Sequence, residues 1–92
     1  MSLRDEILMK INNLCNSLEI REEVARWAFS KIDNEELTIK DGEIYNILVW
    51  LGAVDLIDPT TEDGYLYHID DFLEWRKILI NSESHTANNF NK

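Results

Sequence analysis

The chain has 92 residues, with one cysteine, one proline and a formal net charge of −9. This length predicts a single domain, because one hydrophobic core typically serves about 100–150 residues. A composition that is 45% hydrophobic and 29% charged is typical of a folded protein and excludes disordered and collagen-like chains. A single thiol excludes an internal disulfide and a multi-thiolate zinc site.

The sequence offers no stretch that would enter a membrane. Its longest uncharged run covers residues 44–54, whereas a membrane-spanning helix needs about 20 apolar residues. Charge appears by Arg4, so the first residues lack the apolar stretch of a secretory signal. We therefore predict a soluble, cytoplasmic protein without membrane contact.

The excess of acidic residues lies in the middle of the chain. Residues 1–32 contain five acids and five bases, whereas residues 33–74 contain twelve acids and the single base Lys40. Binding to phosphates requires a basic surface, so this pattern predicts no nucleic-acid partner. A face of one charge accelerates association with a basic protein. The alternative is a solvated acidic face that only improves solubility.

The first half of the chain predicts three amphipathic helices. The first covers residues 2–18, with Ser2 as its N-cap and apolar residues every three or four positions. The second covers residues 20–32 and is followed by a turn over residues 33–36. The third covers residues 43–54, begins after a Thr38 or an Asp41 cap, and is apolar on all sides, which predicts the central, most buried helix.

The second half predicts a loop and one more helix. Residues 55–64 contain the proline and predict a long acidic loop, and residues 65–67 are extended or pair with residues 56–57 in a minimal hairpin. The last helix covers residues 69–80, and residues 81–92 form a flexible polar tail. The predicted fold is all-α: a compact four-helix domain over residues 1–80. Its predicted core consists of Leu14, Val24, Trp27, Ile47, Leu48, Leu51, Phe72 and Leu79. The other two tryptophans, Trp50 and Trp75, are also assigned to the core.

The sequence shows no motif for catalysis or for a cofactor. Loop registers that start at Asp33 and Asp58 lack the oxygen ligands and the glycine of a calcium-binding EF-hand. His68, His85 and Cys15 have no spacing that would bind a transition metal. Cys15 lies on an apolar stripe, where a buried thiol is inert, and a phosphate-binding glycine loop is missing. We predict no enzyme activity, no metal and no cofactor.

A protein-binding surface is the remaining candidate site. Tyr65 and Tyr67 lie among acids, and tyrosines recur as interface anchors, although alternate residues of an extended segment also pack onto a core. The predicted partner-binding residues are Glu35, Glu36, Asp41, Asp58, Glu62, Asp63, Tyr65, Tyr67, Asp70 and Asp71.

Three stretches of the sequence, residues 21–28, 51–56 and 65–75, resemble small acidic bacterial immunity proteins of polymorphic toxin systems. Residues 55–57 and 74–76 also show a weaker likeness to the immunity proteins of nuclease colicins. This resemblance implies a protein that binds and neutralises a basic cognate toxin, such as a nuclease, in the cytoplasm. The alternatives are a small acidic adaptor or regulator of another protein, for instance of a DNA-binding protein, and, less in keeping with the sequence, a small acid–base enzyme.

Overall fold

Four helices form the domain: α1 (Leu3–Cys15), α2 (Arg21–Glu35), α3 (Gly42–Gly52) and α4 (Ile69–Asn88). The structure is a computed structural model that describes the backbone of residues 2–35 and 41–88 and the side chains of residues 2–34 and 41–81. Within these residues there is no β-strand. The predicted all-α, four-helix fold is confirmed.

Side chains cap two of the helices. The Ser2 hydroxyl accepts a hydrogen bond from the Asp5 amide at 3.2 Å, as expected for the start of α1. The Asp41 carboxylate accepts from the amides of Glu43 and Ile44, at 2.9 and 3.3 Å. Of the two starts predicted for α3, Asp41 is therefore a cap, while Thr38 lies outside the described residues.

The observed ends of the helices differ from the predicted ones. α1 stops at Cys15 because Ser17 adopts a left-handed conformation with φ 57°. The amides of Ser17 and Leu18 turn back to the carbonyls of Leu14 and Asn13 at 3.3 and 2.8 Å, which is a Schellman motif.

Two helices run further than predicted. α2 continues to Glu35 through most of the predicted turn, and α4 continues to Asn88 instead of ending at residue 80. Residues 69–88 contain neither glycine nor proline to stop the helix. The division into a domain over residues 1–80 and a tail over residues 81–92 stays a prediction.

The core draws on all four helices. Its buried hydrophobic residues are Ile7, Ile11, Leu14, Val24, Ala25, Ala28, Ile47, Leu48, Leu51, Val54, Phe72, Trp75 and Leu79. Seven of the eight predicted core residues belong to this set, and the assignment of Trp27 is wrong. Trp27 is only partly buried at the core's edge, where the Lys10 ammonium lies 5.4 Å from its ring. Trp50 is likewise partly buried, whereas Trp75 is in the core.

The first and last helices of the fold pack against each other. Arg4 at the start of α1 donates to the carbonyl of Leu79. Arg76, earlier in α4, donates to the Asn12 side chain near the end of α1 at 2.9 Å. α1 and α4 are therefore antiparallel neighbours. α3 contacts both α2 and α4, which gives it the central position that its apolar sequence predicts.

A minimal hairpin connects α3 to α4. It consists of one antiparallel bridge between Ile57 and Tyr65, with the Leu66 amide donating to the Leu56 carbonyl at 3.0 Å. Gly64 takes φ 79° at the turn, a conformation that favours glycine. Among the described residues, no helix combines the length and the apolar character needed to cross a membrane.

Candidate functional site

The hairpin and the start of α4 bring part of the predicted acidic site together. Asp58, Glu62 and Asp63 lie in the hairpin, and Asp70 and Asp71 lie in the first turn of α4.

The other predicted acids lie elsewhere. Asp41 caps the opposite end of α3, where its carboxylate is 3.7 Å from the Arg4 guanidinium. Glu35 is the last residue of α2, and Glu36 lies outside the described residues. Those of the ten predicted residues that the structure describes therefore do not form one continuous patch, and the role of all ten in binding a partner stays a prediction.

Several of these carboxylates hold the backbone of the hairpin. Asp58 accepts from the hydroxyl and the amide of Thr60 at 2.6 and 3.0 Å, and these two bonds lower the pKa of Asp58. Asp63 accepts from the Tyr65 amide at 3.0 Å and is 2.8 Å from Nε2 of His68. The Tyr65 amide is the main reason that the pKa of Asp63 is lowered. These acids therefore stabilise the backbone of the hairpin in addition to giving it negative charge.

Both predicted tyrosines pack against the rest of the fold. The Arg21 guanidinium lies 4.0 Å from the centre of the Tyr65 ring. Tyr67 meets Trp75 edge to face, with 5.2 Å between the ring centres. Both tyrosine side chains remain partly exposed, so their packing leaves part of each ring accessible to a partner.

Arg21 is the residue at this site that sequence reasoning missed. Its guanidinium donates to the carbonyls of Val54 and Tyr67, at 3.1 and 2.7 Å, and so fastens the start of α2 to both ends of the hairpin segment. A signal for this role was present. A base in the first turn of a helix is disfavoured by the helix dipole, which indicates that Arg21 has a partner elsewhere in the fold.

Four bases gather around α1. Arg4 and Lys10 belong to α1 itself. Lys31 of α2 reaches Glu6 at 3.1 Å, and Arg76 of α4 reaches Asn12 at 2.9 Å. Glu6 and Asn12 lie six positions and therefore about 120° apart around the helix, so these bases flank α1 on two sides. We call Arg4, Lys10, Lys31 and Arg76 together the α1 face. By contrast, residues 41–75 contain nine acids and no lysine or arginine, and one of these acids, Asp41, lies against the α1 face, 3.7 Å from Arg4.

Metal ligands do not cluster in the described residues. No group of three or more His, Cys, Asp or Glu side chains there is placed to hold a metal ion. The predicted absence of a metal site stays a prediction.

The carboxylate of Glu19 makes the stability of the fold depend on pH. Burial disfavours its charged form, but hydrogen bonds from Lys10 at 2.8 Å and Asn13 at 2.7 Å outweigh this and lower the pKa of Glu19. A lowered folded-state pKa stabilises the fold above the unfolded value of about 4.3. That stability is lost as the pH falls through the folded-state pKa.

We therefore expect Glu19→Gln to cost about 1 kcal/mol of unfolding free energy at neutral pH. The difference from the parent protein should shrink in acid, as measured by urea unfolding at several pH values. Glu22→Gln is the control, because the Glu22 side chain is exposed and bonds to no other described residue. A Glu19→Gln deficit that stays constant across this range would contradict the assignment.

Comparison with known proteins finds a family model that is described as DNA-binding. Residues 1–78 match the family model described as "YxzC DNA-binding protein". The chain is 31% identical over 72 residues to a Bacillus subtilis (strain 168) protein described as "Uncharacterized protein YxzC". This match covers 78% of the chain but 57% of that relative, so the chain spans little more than half the length of the curated relative it matches. No solved structure matches the chain.

These findings contradict three predictions from the sequence. The resemblance to immunity proteins, the neutralisation of a basic toxin and the exclusion of nucleic acid all conflict with a family described as DNA-binding. The prediction that nucleic acid is excluded was wrong because it rested on the sum of acids along the chain. In the fold, several acids accept hydrogen bonds from backbone amides, and four bases from three helices lie around α1.

Proposed function

Because the chain belongs to the YxzC DNA-binding protein family, we propose that it is a small regulatory protein that binds DNA and has no catalytic activity. The family match over residues 1–78 is the observation that carries this proposal. The relative is a bacterial protein, and bacterial DNA lies in the cytoplasm, so we propose that compartment for this chain.

The α1 face is the surface that we propose for contact with DNA. Phosphate contacts come mainly from lysine and arginine, and the α1 face carries four of the nine bases of the chain. The acids of the hairpin and of the first turn of α4 would repel phosphates at close range, so the duplex approaches from the side of α1.

The pairing of these bases predicts weak binding that depends strongly on salt. Lys10 is bonded to Glu19 at 2.8 Å, Lys31 to Glu6 at 3.1 Å, and Arg76 to Asn12 at 2.9 Å. Each base must exchange such a partner for a phosphate. Four phosphate contacts correspond to a slope of about −3.6 in log K against log salt. Affinity should then fall about 100-fold for a fourfold rise in salt.

Fluorescence anisotropy of a labelled DNA duplex tests the proposal. The parent protein should bind at low salt with this slope. The double variant Lys31→Gln with Arg76→Gln should weaken DNA binding about tenfold or more. The control is Arg26→Gln with Lys77→Gln, which removes the same charge at two exposed bases outside the α1 face. This control should weaken DNA binding less. Equal losses from both pairs would contradict the α1 face as the contact surface. Failure to bind at low salt would contradict DNA binding itself.

A second candidate function is the regulation of a DNA-binding protein. The absence of lysine and arginine from residues 41–75 favours this alternative, because the exposed acids of this segment complement the phosphate-binding side of a basic protein. The chain would then displace a basic, histone-like protein from a labelled duplex without binding the duplex. Unchanged occupancy of the duplex by the basic protein would contradict this second function.

A further inference from the structure

A surface pocket opens where the turn between α1 and α2 meets the hairpin and the start of α4. Its volume is about 350 Å³, and its apolar walls are Leu14, Ile20, Tyr65, Ile69 and Phe72. Four of these five side chains are aliphatic or the apolar ring of phenylalanine, and the fifth is the Tyr65 ring that stacks on Arg21. Ser17, Glu19, Arg21 and Glu22 complete the lining, so the pocket combines apolar walls with polar and charged groups.

The rim of this pocket exposes more apolar surface than the fold requires. Ile20 is 60% exposed and Ile69 is 53% exposed. Leu18, two residues before Ile20, is 71% exposed. The apolar residue that follows a Schellman motif usually packs on the third-last residue of the helix. Here that residue is Asn13, which is polar and bonded to Glu19, so Leu18 remains in solvent.

The charges around the pocket are negative on the side that a partner would meet. Arg21 lines it, but its guanidinium is turned to the carbonyls of Val54 and Tyr67. Glu22 lines the pocket, Glu23 follows it, and Asp70 follows Ile69; all three are exposed and bond to no other described side chain. Two copies of this surface would place like charges together, which disfavours self-association.

We propose that this pocket is the docking site for a basic amphipathic helix of a partner protein. A bulky apolar side chain of that helix, such as leucine, enters the pocket between Ile20, Ile69 and Phe72. Lysine or arginine one turn away on the same helix meets Glu22 and Asp70. Apolar anchors at helical spacing with charged neighbours are a general mode of helix-in-groove recognition. The proposal does not depend on DNA binding by the α1 face.

A synthetic amphipathic leucine–lysine peptide and its leucine–glutamate counterpart are the probes. Titrated into the ¹⁵N-labelled full chain, the lysine peptide should shift amide resonances of residues 17–22, 65 and 69–72, and the glutamate peptide should not. Ile69→Glu should weaken binding about tenfold or more. Ile69→Glu should also fold, because an acid in the first turn of α4 suits the helix dipole. Val49→Glu is the matched control, since Val49 is 43% exposed on α3, away from the pocket.

Four results would overturn the docking site. Equal binding of the two peptides would show that charge complementarity does not govern docking. Equal losses of peptide affinity in Ile69→Glu and Val49→Glu would show that the pocket is not the docking site. Sedimentation showing a parent dimer that Ile69→Glu separates would assign the surface to a second copy of the chain. We expect the DNA affinity of Ile69→Glu to be unchanged. If Ile69→Glu loses DNA affinity and peptide affinity to the same extent, the pocket is part of the surface that binds DNA.

Discussion

Phe72→Ala is expected to lower the free energy of unfolding by about 3–5 kcal/mol. The Phe72 ring is only 2% exposed and packs against Trp75, with 5.4 Å between ring centres, and under Arg21 at 5.1 Å. Its removal leaves a cavity that the surrounding core closes only in part. A domain of this size has a total stability of about 5–15 kcal/mol, so the loss is a large fraction of the total.

Denaturant unfolding followed by tryptophan fluorescence measures this loss. Leu73→Ala is the control at the neighbouring position, because Leu73 is 39% exposed and should cost about 1 kcal/mol. A loss for Phe72→Ala no larger than that of Leu73→Ala would contradict the position of Phe72 in the core.

Arg21→Ala is expected to have the second largest effect, a loss of about 3 kcal/mol. The substitution leaves the carbonyls of Val54 and Tyr67 without their donor and exposes the ring of Tyr65. The two acceptors flank the hairpin, so their release also frees the hairpin from α2. Hydrogen exchange should accordingly quicken at the Leu66 and Asp58 amides, which carry the hairpin's backbone hydrogen bonds.

The matched variants for Arg21 separate geometry from charge. Arg21→Lys keeps the charge but not the planar fork that reaches two carbonyls, so it should restore less than half of the lost stability. Arg26→Ala removes an exposed base from the same helix and should change stability by no more than about 0.5 kcal/mol. If Arg21→Lys is as stable as the parent protein, the fork geometry is not what holds the hairpin.

The sequence allowed the helices to be predicted because each carries its own apolar pattern. Ile7, Ile11 and Leu14 mark the buried side of α1, and the apolar run around Ile47 and Leu48 marks α3 as central. The ends of the helices were harder to predict, since they depend on single contacts. Ser17 stops α1 in a conformation that is rare for serine, and no composition rule anticipates it.

The candidate sites were less accessible to sequence analysis because they depend on side chains that are far apart in the chain. Lys31 and Arg76 contact α1 from separate helices, and a running sum of charge cannot show that they reach the same helix. Acids such as Asp58 were predicted to bind a partner because of their charge, whereas part of their role is to accept hydrogen bonds from backbone amides. Arg21 is the exception, because a base in the first turn of a helix is opposed by the helix dipole. This local conflict indicates a partner elsewhere in the fold.

The antiparallel contact between α1 and α4 has a consequence for how the protein is made. Arg4 bonds to a carbonyl that lies 75 residues later in the chain, and α1 packs mainly against α4. During synthesis on the ribosome, the apolar side of α1 therefore emerges long before the helix that covers it, while α2 and α3 can pair as soon as both are outside the exit tunnel. Nascent chains that stop before residue 79 should expose Ile7 and Ile11 and be sensitive to proteases, and complete protection should arrive only when α4 has been released.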